Sequence, residues 1–88
     1  MYYIYILFSL KTNKYYIGST DDLVHRLKHH NAGSTPSTKS AAPDWTICYT
    51  ETVPDRAAAL KRELEIKKKK GRNYLEGLIQ KGKIQQKT

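Results

Sequence analysis

A single cysteine, a single methionine and three prolines are all that these 88 residues hold of those types. With Cys48 alone, no internal disulfide can form, which fits a reducing, cytoplasmic setting. Cys48 lies in an apolar stretch and is expected to pack there. No apolar run approaches the roughly 20 residues of a membrane span. The apolar stretch Tyr2 to Phe8 has no basic segment before it and no small-residue cleavage site after it, so it is not expected to be an export signal. Five glycines are scattered, and none makes a phosphate-cradling loop. Paired-cysteine metal sites and zincin histidine pairs are missing too. Any chemistry must be assembled from residues distant along the chain.

Acidic residues are also scarce, at 8 against 16 lysines and arginines, for a net charge of +8. The excess is local: residues 1 to 55 carry five bases and five acids, whereas residues 56 to 88 carry eleven bases and three acids. One strongly cationic third points to a polyanionic partner, usually nucleic acid. A solvated lysine surface is the alternative that charge alone leaves open. A hydrophobic fraction of 39% over this length allows one small domain with one modest core, expected over residues 1 to 80, with a basic flexible tail at 81 to 88.

Tyr2 to Leu10 and Tyr15 to Ser19 read as strands joined at Lys11 to Lys14 into a hairpin. That break puts Leu10 opposite Tyr15 and Gly18 opposite Leu7, beside Tyr5. Tyr5, Leu7, Ser9, Tyr16 and Gly18 then share one face, and Gly18 leaves an open space next to Tyr5. Thr20, Asp21 and Asp22 start a helix that Gly33 ends, with Leu23, Val24 and Leu27 as its apolar stripe. Arg26 and His30 are four apart and stack on the flank of that stripe. The polar stretch 31 to 44 reads as a loop long enough to be functional. A third strand follows at Trp45 to Glu51, with Trp45 expected in the core. Pro54 and Asp55 then open a helix from Arg56 to Lys70, its core face Ala57, Leu60 and Leu64, with Glu63 about 60° from Leu60 on the wheel. A short helix at Tyr74 to Gln80 completes the order β-β-α-β-α-α. The expected fold is α+β, a small three-stranded antiparallel sheet flanked by helices.

Alone, each candidate residue has a structural explanation: strand tyrosines pack, a helical arginine is solvated, a glutamate beside an apolar stripe edges it. Together they form a pattern. Tyr3-Ile4-Tyr5, then Tyr16-Ile17-Gly18, then Arg26 and His30 in "DDLVHRLKHH", then Glu63 in "ALKRELEIKK" resemble the GIY-YIG nuclease domain. In size and order the chain is similar to small stand-alone members of that family, related to the amino-terminal nuclease domain of the excinuclease. Tyr3 stands where the first glycine of the motif would be.

The resemblance implies a metal-dependent endonuclease that hydrolyses phosphodiester bonds in DNA, in repair or recombination. Tyr5 would be the general base or activator of the nucleophile. Its free pKa is near 10, so Arg26 or a bound metal would have to lower it. Tyr16 would orient water or substrate, and Arg26 would hold the scissile phosphate. His30 would help orient phosphate or shuttle a proton. Glu63 would be the single protein ligand of Mg²⁺ (or Mn²⁺), so that metal affinity should rise sharply with nucleic acid present. Lys14, Gly18, Lys67, Lys68, Lys69, Lys70 and Arg72 are expected on the substrate side, the lysines gripping phosphates that flank the cut. A protein partner could supply specificity. A non-cutting nucleic-acid-binding module of the same fold and a basic, ribosome-associated structural protein are the competing readings.

Overall fold

β-branched and aromatic runs make the strands expected of them. In the computed structural model, which describes residues 1–69 and 71–86, β1 spans Tyr2–Ser9, β2 Lys14–Thr20 and β3 Trp45–Val53. Helix α1 spans Leu23–Asn31, α2 Arg56–Lys68 and α3 Arg72–Gln86, and a short 3-10 helix at Pro36–Ala41 lies within the expected loop. The strands form one antiparallel sheet in the order β2-β1-β3, giving the expected α+β fold and element order.

The hairpin register differs by two residues from the expected one. Tyr5 pairs with Gly18, Leu7 with Tyr16 and Ser9 with Lys14, so the connection is Leu10 to Asn13. The tip explains the difference. Asn13 adopts a left-handed φ of 55°, which asparagine tolerates at a turn. The Ser9 hydroxyl accepts the Thr12 N–H, and the Asp44 carboxylate accepts the Lys11 N–H at 2.6 Å. These bonds close the turn one residue earlier. A shift of two preserves side-chain parity, so the shared face of Tyr5, Leu7, Ser9, Tyr16 and Gly18 survives.

Each sheet face carries its own cluster. On the face of Tyr5 and Leu7, the core includes Ala41 and Trp45, with Leu23 and Leu27 of α1 packed against it. On the other face Ile4 meets Ala59 and Ile66 of α2, with Tyr74, Leu75 and Leu78 of α3 alongside. Ile4, Ile6 and Ile66 are fully buried, each contributing about 1.5–3 kcal/mol.

Two apolar stripes are rotated from their expected positions. In α1 the inward line is Leu23 and Leu27, both partly buried, and His30, fully buried, while Val24 is 69% exposed. In α2 Ala59 and Ile66 face the sheet, Ala57 is exposed, and Leu60 and Leu64 are 48% and 59% exposed. Polar anchors set the rotation of α2. Arg62 forms a two-pronged ion pair with Glu51 of β3 at 2.8 Å, and Glu63 accepts the Ser19 hydroxyl of β2 at 2.8 Å. Those bonds point the 59–62–63–66 side inward and turn the leucines out. Helix α3 exceeds the expected Tyr74 to Gln80 at both ends. Its start is fixed by Arg72, which donates to the Asn13 side chain and carbonyl at 2.8 and 3.0 Å. Lys87 and Thr88, the end of the expected tail, lie outside the described residues.

Candidate active site

Beside the end of edge strand β2, a hollow of about 340 Å³ opens between α1 and α2. Tyr5, Tyr16, Gly18, Arg26, Arg56 and Glu63 are among the residues that line it. Five of these are expected site residues, brought from β1, β2, α1 and α2 to one place.

The Tyr5 phenol reaches the hollow by crossing the backbone of its ladder partner. A Cβ on Gly18 would overlap the Tyr5 Oη and Cζ atoms and lie 3.1 Å from the ring edge. The absent side chain is therefore filled by the phenol. Tyr5 is only 2% exposed, and burial pushes its pKa up, with Arg26 pulling the opposite way. Arg26 acts in the expected direction, but burial outweighs it, so Tyr5 is a phenol at neutral pH.

His30 sits behind Tyr5, fully buried, rather than on the flank of the helix stripe. Its Nε2 is 3.0 Å from the Tyr5 hydroxyl, and its Nδ1 is 2.8 Å from the Thr38 hydroxyl in the 3-10 helix. Burial pushes the His30 pKa down, helped by Arg26 and then His29, so the imidazole is neutral at pH 7. Tyr16 packs its ring against His30, centroids 4.9 Å apart, and against Trp45 at 6.4 Å. Trp45 is 5% exposed, as the sequence suggests.

On the opposite wall, Glu63 is held at both oxygens. Ser19 donates to Oε1 at 2.8 Å and Lys67 to Oε2 at 2.6 Å. The Glu63 side chain keeps 17% exposure. Lys67 thus binds the candidate metal ligand. Lys68 is exposed, and Lys69 lies over the Tyr74 ring at 5.3 Å. Arg72 is engaged with Asn13, Glu76 and the Tyr15 ring on the other sheet face, and Lys14 stands at the hairpin end of β2. None of these five residues lines the hollow. Lys70 lies outside the described residues. Tyr2, expected only to pack, both packs beside Ile4 and borders the hollow. Tyr15 donates to Glu76 at 3.3 Å under Arg72.

Arg56, Ser19 and Thr38 are not among the site residues expected from the sequence. Arg56 was legible, because 56, 60 and 63 repeat at i, i+4, i+7 on one helix face. Ser19 follows Gly18 and so points to the other side of the strand, toward α2. No local pattern marks Thr38.

The profile of the GIY-YIG catalytic domain matches residues 1–76. The chain is 30% identical to a UPF0213 protein of Halobacterium salinarum over 67 residues, covering 76% of this chain and 86% of that one. No solved structure matches significantly. The chain belongs to the GIY-YIG family, a family of nuclease domains.

Proposed function

We propose that this protein is an endonuclease that hydrolyses phosphodiester bonds in DNA with the help of Mg²⁺ or Mn²⁺. The observation that carries the reading is the convergence of Tyr5, Arg26 and Glu63 on one hollow, from three separate elements.

The donor set fits a hard divalent ion. Glu63 and Asp21 are the carboxylate residues bordering the hollow, and among the described residues no three His, Cys, Asp or Glu side chains gather into a cage. A site of that kind suits an ion that retains most of its waters and takes phosphate oxygens from its substrate. Glu63 would hold the ion, which when bound supplies positive charge against the charge developing on phosphate.

The remaining work falls to the chain. Arg26 and Arg56 present two guanidinium groups to the hollow and receive the phosphate there. Tyr5 takes a proton from the attacking water as its own proton passes to His30 Nε2. The concerted hand-off avoids forming a free phenolate, which burial disfavours. The water oxygen bonds to phosphorus, the opposite P–O bond breaks, and solvent protonates the leaving oxygen. His30 then returns its proton to Tyr5, whose proton from the water passes to solvent through the hollow. Tyr16 confines the water between its own ring and the hollow. We place this activity in DNA repair or recombination, with a protein partner supplying specificity.

The test is incubation with nicked, branched and supercoiled DNA, and with RNA of matched sequence, in Mg²⁺ or Mn²⁺, beside Glu63→Ala. Metal-dependent DNA cleavage that the variant loses supports the reading. Binding without cleavage by the wild-type chain would make it a binding module, and no binding at moderate salt would leave a basic structural protein.

A further inference from the structure

The 3-10 helix at Pro36–Ala41 brings one hydroxyl into the sealed space behind His30. Thr38 is fully buried, as is His30, and Tyr5 is nearly so. Three polar side chains in a dry environment must satisfy one another, since an unpaired donor or acceptor there is costly.

The directions of the bonds follow from one end of the line. The Thr35 carbonyl can only accept, and the Thr38 Oγ1 lies 3.3 Å from it, so the hydroxyl hydrogen goes to Thr35. The Thr38 oxygen then accepts the hydrogen on His30 Nδ1, at 2.8 Å. A neutral imidazole carries one hydrogen, so Nε2 is bare and accepts from the Tyr5 phenol at 3.0 Å. The opposite arrangement would require Thr38 to abandon Thr35 and donate to Nδ1. His30 Nε2–H would then face the phenol, and Tyr5 would have nowhere in the interior to send its proton.

The loop is built to hold this oxygen still. The Thr38 N–H also bonds to Thr35 O at 3.0 Å, and the Trp45 indole donates to Thr38 O at 2.9 Å. The Asn31 amide in turn clamps Trp45, accepting its N–H at 2.8 Å and donating to its carbonyl at 3.0 Å. The last residue of α1 and the first of β3 thereby fix the segment between them.

We propose that Thr38 is a positioning residue, whose hydroxyl sets His30 as the Nδ1–H tautomer and keeps Nε2 open for the Tyr5 proton. The inference rests on the nuclease reading for its catalytic meaning, but the tautomer can be measured without any cleavage. Long-range ¹H–¹⁵N spectra should show His30 protonated at Nδ1 and bare at Nε2 in the wild-type chain and in Thr38→Ser. Thr38→Val should lose that tautomer and lower kcat about tenfold or more, with KM within about twofold, while Thr38→Ser stays near wild type. A wild-type His30 protonated at Nε2, or a folded Thr38→Val with unchanged tautomer and kcat, would overturn the proposal. If Thr38→Val fails to fold, the wild-type and Thr38→Ser spectra still decide it. If the wild-type chain cuts nothing, the nuclease reading falls by itself and the spectra still show whether Thr38 governs the ring.

Discussion

Gly18 lies directly opposite Tyr5 in the hairpin ladder, and the phenol occupies the space a side chain on Gly18 would fill. The final glycine of the second motif is thus a steric requirement of the tyrosine in the first. Gly18→Ala should displace the phenol from His30, abolish cleavage, and cost about 1–3 kcal/mol through overpacking. Thermal melts and a DNA-cutting assay check both effects. A variant that cuts normally would mean that the phenol does not need this path.

Much of this was legible in the sequence, because it depends on parity and spacing. The shared face of Tyr5, Tyr16 and Gly18 follows from a period of two and survives a register error of two. The grouping of Arg56 with Glu63 follows from helix periodicity. The buried stripe of α2 was not legible: Leu60 and Leu64 are the more apolar side chains, yet Arg62 and Glu63 find partners on β3 and β2 that orient the helix against hydropathy. The same holds for Thr38, since its partner is set by how a loop folds back over α1.

A metal held by Glu63 would have to compete with Lys67 for its carboxylate. Lys67→Met should therefore raise Mn²⁺ affinity in the absence of DNA by about two- to fivefold, the scale of a partly exposed ion pair. Electron paramagnetic resonance of free Mn²⁺ measures it. Unchanged or weaker binding would show that Lys67 does not guard Glu63. In the wild-type chain, DNA should strengthen the same Mn²⁺ titration, because phosphate oxygens complete a shell that one carboxylate cannot.

His30 makes stability pH-dependent. Unfolded, it takes up a proton near pH 6.5; folded, its pKa is lowered by burial. Between the two values the unfolded chain binds more protons, so stability falls as pH drops below about 6.5. Glu51 acts in a separate, more acidic window, because Arg62 holds its carboxyl below the usual range and that contribution is lost only as Glu51 protonates. Melting temperature should decline from pH 7.5 to 5.5, and in His30→Gln this decline should flatten. An equally steep decline in the variant would assign the effect elsewhere.

Arg62 tests the separation of scaffold from site. It braces α2 against β3 through Glu51, which also accepts the Tyr49 hydroxyl at 2.5 Å; burial and that carboxylate push the Tyr49 pKa up to about 12. Arg62→Ala leaves Glu51 without its cation and should cost about 1–3 kcal/mol, read by urea denaturation. Below its melting range the variant should retain DNA affinity, since Arg62 does not line the hollow.

The most direct measurement removes one oxygen atom. Tyr5→Phe keeps the ring over Gly18 and leaves Arg26, Arg56 and Glu63 in place. The account predicts wild-type DNA binding with cleavage lowered at least about a hundredfold in Mg²⁺ or Mn²⁺. Cleavage by Tyr5→Phe at the wild-type rate would contradict it.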